Sequence, residues 1–212
     1  MAINTNKSKI MIFNYTQNHQ FTTRVTMDDV PLQVVEEAKL LGTYITNDLK
    51  WDLNTKHIVK KSNSRMQLLR KVASFGASRK DMIHIYTLFV RSSLEHSSSV
   101  WHRSLTNENV NDLERVQKSA FRIILKHEYF SYENALNILE METLKDRREL
   151  LLTKFTVKSL QVKQMNTILM KNENTQGMNT RNKEQYKIQN TNTERFQKST
   201  GIQMQHIINN IN

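Results

Sequence analysis

Apolar side chains at helical spacing are the clearest pattern in the chain. Between residues 106 and 125 they recur at i, i+3 and i+4, which predicts an amphipathic helix. Its predicted core stripe is Val110, Leu113, Val116, Ala120 and Ile124. Its predicted solvent face is Asn111, Glu114, Arg115 and Lys118. Thr106 suits the N-cap, and Glu108 suits the positive end of the helix dipole.

A second helix is predicted before this one, with apolar residues over a wider arc. They are Met82, Ile83, Ile85, Tyr86, Phe89, Val90 and Leu94. That breadth predicts burial between neighbouring elements. Ser78 with Asp81 resembles a capping box at its start. Arg91 and Glu95 stand four residues apart, so each can neutralise the other if both are half-buried.

Three further helices are predicted, over residues 51–75, 131–140 and 143 to about 170. The first has an apolar face of Ile58, Met66, Leu69 and Val72, and Gly76 is placed to end it. The last has Asp146 near its start and a predicted core face of Leu144, Leu151, Leu152, Phe155 and Leu160. Packed pairwise, such helices form a compact bundle.

The first 46 residues have a different pattern, with short β-rich runs at 9–13, 21–26, 32–36 and 39–46. Asp28–Asp29 and Pro31 indicate a turn before the third run. Gly42 interrupts the fourth run and predicts a bulge or a close backbone contact. These runs predict a small antiparallel sheet, so the fold class is α+β.

The last part of the chain, 171–212, contains nine Asn and six Gln with little periodicity. It is predicted to be a largely disordered polar tail, except for an amphipathic turn or two at Met204, Ile207, Ile208 and Ile211. The predicted domains are therefore strands at 1–46, a helical bundle at 47–170 and this tail at 171–212.

Charge adds a functional expectation to this architecture. The formal net charge is +11 and the pI is about 9.8, which favours an anionic partner, nucleic acid first. Residues 47–80 hold nine Lys or Arg against two Asp. Lys56, Lys60, Arg70 and Lys71 project from one side of the predicted helix and suit a phosphate backbone. A merely solvated helix face remains the alternative.

Candidate catalytic chemistry is sparse. The chain has no cysteine, and neither a signal peptide nor a membrane-spanning run is recognisable, which favours an intracellular protein that is not secreted. The seven histidines do not match zinc-ligand spacing, and no phosphate-binding glycine motif is present. Asp28–Asp29 is interpreted as part of a turn rather than as a metal site. Trp51 and Trp101 are interpreted as core residues rather than base-stacking residues.

A resemblance gives these features a context. Arg91, Leu94–Glu95, Val100–Trp101–His102, Ser104–Leu105–Thr106 and then LERVQKSAFRIIL follow one another in the order found after the active site of reverse transcriptases from jockey-like non-LTR retrotransposons. DRRELLLTKF, MNTRNKEQYKI and TNTERFQKS resemble later segments of that family. Upstream, Ile3–Asn4, Lys7–Ser8–Lys9, Met11 and Phe13 resemble the end of its palm.

The resemblance implies the end of a palm, a thumb-like bundle and a tail. Lys39, Leu41–Gly42 and Ile45 are similar to the hairpin called the primer grip, and Lys7 and Lys9 to a position near the incoming nucleotide. The family's metal-binding aspartate loop lies upstream of these segments. The chain alone is therefore expected to hold no Mg²⁺ and no other cofactor, to catalyse no polymerisation, and to bind RNA, DNA or their hybrid weakly and without specificity. A helical protein-interaction module, or the non-functional product of a decayed element, remains an alternative.

Overall fold

A computed structural model describes residues 4, 8–14, 24–162, 165, 169 and 186–211. The predicted α+β class is confirmed, with short strands near the N-terminus followed by a mainly helical part. The chain divides into two compact units, Met1–His57 and Ile58–Asn212, whereas the predicted boundary lay between residues 46 and 47. Each unit is described by itself.

The first unit contains three short two-stranded ladders. Its strands are β1 (Lys9–Ile10), β2 (Thr26–Met27), β3 (Val30–Pro31), β4 (Gln33–Val34), β5 (Glu37–Leu40) and β6 (Thr43–Thr46). β2 and β3 pair antiparallel across Asp28 and Asp29, whose φ angles are 50° and 61°. Two consecutive positive φ values are typical of a two-residue hairpin turn, and Asp tolerates them. The prediction that Asp28 and Asp29 form a turn is confirmed.

β5 and β6 form a second antiparallel hairpin, with Leu40 opposite Thr43. Leu41 and Gly42 are its two turn residues, with φ angles of 49° and 90°. The run at 39–46 is therefore two strands joined by a tight turn, and the expectation of a bulge within one strand was wrong. β1 pairs parallel with β4, a pairing that the sequence pattern did not predict.

Helix α1 (Asp52–Ser74) begins in the first unit and continues into the second. Ile58, Met66 and Leu69 are buried, as predicted, and Val72 is half-buried. Gly76 follows the helix with a φ of 75°, and its amide hydrogen-bonds to the carbonyl of Ala73. Its role as the C-terminal stop is confirmed because this left-handed conformation costs glycine least.

The other helical segments lie in the second unit. The α-helices are α2 (Arg79–Ile85), α3 (Ser92–Leu94), α4 (Ser98–Trp101), α5 (Asn107–Leu125), α6 (Tyr132–Leu139), α7 (Leu144–Ser159), α8 (Glu194–Gln197) and α9 (Thr200–Ile211). A π-helical segment at Tyr86–Arg91 joins α2 to α3, and 3₁₀ turns follow α4 and α5 at His102–Ser104 and Lys126–Glu128. Ser78, Thr106, Ser131 and Thr143 cap α2, α5, α6 and α7 by accepting from the backbone N–H three residues on.

The helical run at 79–94 is buried along a narrower stripe than predicted. Met82, Tyr86, Val90 and Leu94 form this stripe at a spacing of four. Ile83 and Ile85 are half-buried, and Phe89 is exposed, so the expected burial of Phe89 was wrong. On α5, Leu113, Val116, Ala120 and Ile124 are buried as predicted, with Val110 half-buried at the edge.

α7 ends at Ser159, about ten residues before its predicted end. Its buried residues are Leu144, Arg148, Leu152, Thr156 and Ser159. Leu144 and Leu152 confirm part of the predicted core face, but Leu151 is only half-buried and Phe155 and Leu160 are exposed. The buried hydroxyls of Thr156 and Ser159 donate to the carbonyls of Leu152 and Phe155, which satisfies them within the helix.

The tail prediction needs a correction at its C-terminal end. Residues 171–185 lie outside the described part of the chain, but α9 is a full helix of 12 residues. Met204 and Ile208 are buried, Ile207 is half-buried and Ile211 is exposed. Thr200 Oγ1 donates to the carbonyls of Ser99 and Val100, each at 3.0 Å, which attaches the start of α9 to α4.

Candidate nucleic-acid interface

Four of the six cations of α1 lie on one exposed face of the helix, and Lys61 and Arg65 lie outside it. At 100° per residue, Lys56, Lys60, Arg70 and Lys71 fall within an arc of about 100°. All four are exposed, and so are the neutral residues Asn63 and Gln67 between them. A rise of 1.5 Å per residue separates Lys60 from Lys71 by about 16 Å along the axis. The predicted basic face is present, on the side away from Ile58, Met66 and Leu69.

Five arginines of the helical unit form ion pairs with acids. Ion pairs beyond α1 in the described part of the chain include Arg79–Glu128, Arg91–Glu95, Arg103–Glu149, Arg115–Asp112, Arg147–Glu95 and Lys198–Glu194. α1 has six Lys or Arg and only Asp52 as an acid. Within the described residues, Lys56, Lys60, Lys61, Arg70 and Lys71 form no ion pair. This face therefore holds positive charge that nothing on the described surface neutralises.

The remaining predicted site residues lie in the first unit. Lys9 is exposed on β1, and Lys7 lies outside the described residues. Leu41 and Gly42 are both exposed, and Leu41 at the hairpin tip is 88% accessible. Behind the tip, Lys39 Nζ lies 5.3 Å from the centre of the Tyr44 ring. The hairpin that the resemblance implies is therefore present, and its role as a primer grip stays a prediction.

One polar group that sequence reasoning missed is centred on His102. His102 lies where α4 ends and the 3₁₀ turn begins, and it is buried against two charged residues of α7, Arg148 and Glu149. Arg148 Nε donates to His102 Nδ1 at 3.2 Å. The hydrogen on His102 is therefore at Nε2, which lies 3.0 Å from Glu149 Oε1. Trp101 is fully buried beside this group, with its ring centre 5.9 Å from the Arg148 guanidinium, so its core assignment is confirmed.

Electrostatics keeps this group in a single protonation state at neutral pH. Burial, together with the adjacent Arg148 guanidinium, lowers the pKa of His102 from its ordinary value of 6.5. Burial also lowers the pKa of Arg148, against the attraction of Glu114 and Glu95. Neither Nη1 nor Nη2 of Arg148 has a hydrogen-bond partner among the described residues. Within the described part of the chain, the side chains that hydrogen-bond to the His102 ring are Arg148 and Glu149, and the buried geometry indicates a core network.

A second missed group runs through the centre of the bundle. Tyr86 Oη donates to Gln117 Oε1 at 2.5 Å, and Gln117 Nε2 donates to Tyr132 Oη at 2.8 Å. Tyr132 in turn donates to Glu114 Oε2 at 2.6 Å, and Lys145 N donates to Glu114 Oε1 at 2.9 Å. Glu114 is therefore buried, which corrects its predicted place on the solvent face of α5. Burial raises the pKa of Tyr86 and of Tyr132, so both remain phenols.

A third polar contact confirms one prediction and extends it. Arg91 Nε lies 3.6 Å from Glu95 Oε1, and both side chains are largely buried, as the i, i+4 spacing indicated. Glu95 also binds Arg147 of α7. The Glu95 carboxylate therefore joins the end of the helical run at 79–94 to α7. Arg147 and Glu95 are 52 residues apart and meet only in the folded protein, so the sequence spacing could not have predicted this ion pair.

Among the described residues, no group of three or more His, Asp or Glu side chains is arranged to hold a metal ion. No helix in that part of the chain is both long enough and apolar enough to cross a membrane. Comparison of the chain with protein-family models, curated proteins and solved structures finds no match.

Proposed function

We propose that these 212 residues correspond to the end of the palm, the thumb and the tail of a jockey-like retrotransposon reverse transcriptase. They contribute a nucleic-acid-binding surface rather than catalytic carboxylates. The observation that carries this proposal is the unpaired cationic face of α1, formed by Lys60, Arg70 and Lys71, with Lys56 one turn earlier. Such a face binds the phosphate backbone of RNA, DNA or their hybrid without reading sequence.

The arrangement of the other charges supports a role for this face. Where Arg side chains support the fold, as at Arg91 and Arg147, they lie against a carboxylate. Side chains that only keep a surface solvated need no common face, yet four of the six α1 cations share one, with neutral residues between them. Leaving like charges together costs stability through repulsion, which an anionic partner removes.

The test is binding of a fluorescent hybrid duplex at several salt concentrations, followed by anisotropy. If three to four phosphates are contacted, the logarithm of the association constant should fall against the logarithm of salt with a slope of about −3. Lys60→Glu with Lys71→Glu should abolish binding at moderate salt. The binding should not depend on sequence, because these contacts reach only phosphates.

The matched control is Lys154→Glu with Lys158→Glu, which makes the same change in net charge on exposed positions of α7. The proposal requires this control to bind far better than the α1 variant. Equal losses would show that net charge alone attracts the duplex. Binding that ignores both salt and the α1 substitutions would favour the helical protein-interaction module.

Polymerase activity is a separate part of the proposal. Asp28–Asp29 is the only adjacent aspartate pair in the chain, and it forms the β2–β3 turn. Two-metal polymerase chemistry needs carboxylates that converge on shared ions. Incubation of the chain with a primed template, Mg²⁺ and nucleotides should therefore give no extension. Extension that an Asp28→Asn, Asp29→Asn variant abolishes would contradict this part.

A further inference from the structure

Two phenylalanines are the most exposed among those described in the helical unit. Phe75 follows α1 and is 86% accessible, and Phe130 precedes α6 and is 91% accessible. Arg79 Nη2 at the start of α2 lies 2.5 Å from Glu128 Oε1. Arg79 is four residues after Phe75, and Glu128 is two residues before Phe130. The ion pair therefore joins the segment that follows α1 to the segment that follows α5, and each segment carries one of the two phenylalanines.

Positive charge surrounds these rings. Lys71 lies one helical turn before Phe75, and its carbonyl accepts from the amide of Phe75. Lys80 and Lys126 are exposed on the two turns that carry the rings. Residues 70–81 and 126–133 hold five Lys or Arg against three acids, Asp81, Glu128 and Glu133, and Glu128 is paired with Arg79. The local excess of charge is therefore positive.

We propose that these two joined segments of the helical unit bind unpaired nucleotides. Bases stack on Phe75 and Phe130, while Lys71, Lys80 and Lys126 hold the adjoining phosphates. Exposed aromatic rings among lysines are how proteins bind single strands without sequence preference, since every base has a π face. The proposal rests on the proposed function, because Lys71 belongs to both surfaces, and it adds a preference for duplexes with a single-stranded end.

Charge complementarity favours this partner over an apolar one. An uncharged hydrophobic partner would offer the neighbouring lysines no negative charge to bind. A single strand supplies both aromatic faces and phosphates. Rings as exposed as Phe75 and Phe130 contribute little to the stability of the bundle, so their substitution tests binding rather than folding.

The experiment compares a blunt hybrid duplex with the same duplex carrying a short oligothymidine overhang, by anisotropy at constant salt. The overhang should tighten binding by wild-type protein by about fivefold or more. Phe75→Ala with Phe130→Ala should remove this gain and leave blunt-duplex affinity unchanged. Phe155→Ala, which removes an exposed phenylalanine from α7, should leave both affinities unchanged.

A direct measurement of stacking uses Phe75→Trp. Trp51 and Trp101 are buried, so quenching by the overhang would report on position 75. If the blunt duplex binds but the overhang adds nothing, or if the gain survives the double alanine variant, this proposal is wrong while the proposed function stands. If the blunt duplex does not bind at all, the proposed function, duplex binding by the basic face of α1, is wrong. Phenylalanine-dependent binding of anionic vesicles without any gain from the overhang would identify a membrane surface and overturn the nucleotide proposal.

Discussion

At the scale of single residues, the interior of the helical unit depends on polar groups whose partners come from distant parts of the chain. Glu114 lies on α5 beside exposed Asn111 and Arg115, yet it is buried because Tyr132 and the amide of Lys145 donate to it. A buried carboxylate is tolerated only when such donors satisfy its oxygens. Removing it leaves the Tyr132 hydroxyl and the Lys145 amide without this acceptor in a partly buried site.

Glu114→Ala should therefore lower the free energy of unfolding by about 2 kcal/mol or more, since each unsatisfied buried donor costs about 1–3 kcal/mol. Asn111→Ala, an exposed position on the same helix, should change it by no more than about 0.5 kcal/mol. Urea denaturation followed by circular dichroism measures both values. Similar effects of the two substitutions would contradict the buried network around Glu114.

His102 makes the stability depend on pH. Its pKa in the folded state is lowered, so it stays neutral there while the unfolded chain takes up a proton near pH 6.5. The unfolded state therefore binds more protons below that pH, and stability falls as the pH falls. A second proton on the ring would also place Nδ1–H against the N–H of Arg148, although Glu149 partly offsets this repulsion.

His102→Asn replaces the acceptor at Nδ1 by an amide oxygen that does not titrate. Between pH 6.5 and pH 5.5, wild type should lose up to about 1 kcal/mol that the variant does not lose. Denaturant unfolding of both proteins at the two pH values measures this difference and cancels the titration of all other groups. A constant difference between the two proteins would show that His102 does not titrate on unfolding.

At the scale of helices, the sequence predicted the long elements and their caps but not which polar residues they bury. Thr106, Ser78 and Gly76 are local signals, and local hydrogen bonds or φ angles decide their roles. Arg148 and Thr156 lie on the buried face of α7, which hydrophobicity alone assigned to Phe155 and Leu160. Their burial depends on His102 and on a carbonyl one turn earlier, which an apolar pattern cannot show.

The C-terminal helix α9 provides a test at this scale. Ile208 is buried, whereas Ile211, three residues later, is exposed. Ile208→Asp should detach α9 because it buries an unpaired charge, and Ile211→Asp should leave the helix in place. Hydrogen exchange of residues 200–211 distinguishes the two outcomes. Rapid exchange in wild-type protein would instead favour the disordered tail that the composition indicated.

At the scale of the whole molecule, the basic face was predictable because it lies within one helix, α1. In a helix, the spacing of residues along the sequence determines the side on which each side chain projects. The joining of the segments that carry Phe75 and Phe130 was not predictable, because the Arg79–Glu128 pair joins residues 49 apart in the chain. The short strands were the least predictable elements. Their ladders are mostly two residues long, and their register depends on pairing rather than on pattern.

The same short ladders predict unequal resistance to proteolysis. Val25, Val30, Val34 and Leu40 are exposed in the first unit, and its buried residues are few and mostly follow β6. Two-stranded ladders have little stability alone and leave strand edges open. Limited proteolysis should therefore cut between residues 24 and 36 first and leave a resistant fragment that contains α1 to α7. Mass spectrometry identifies the cut sites. α5 and α7 hold the largest share of the fully buried side chains, so they should resist cleavage longest. A first cut within either helix would contradict the predicted order of cleavage.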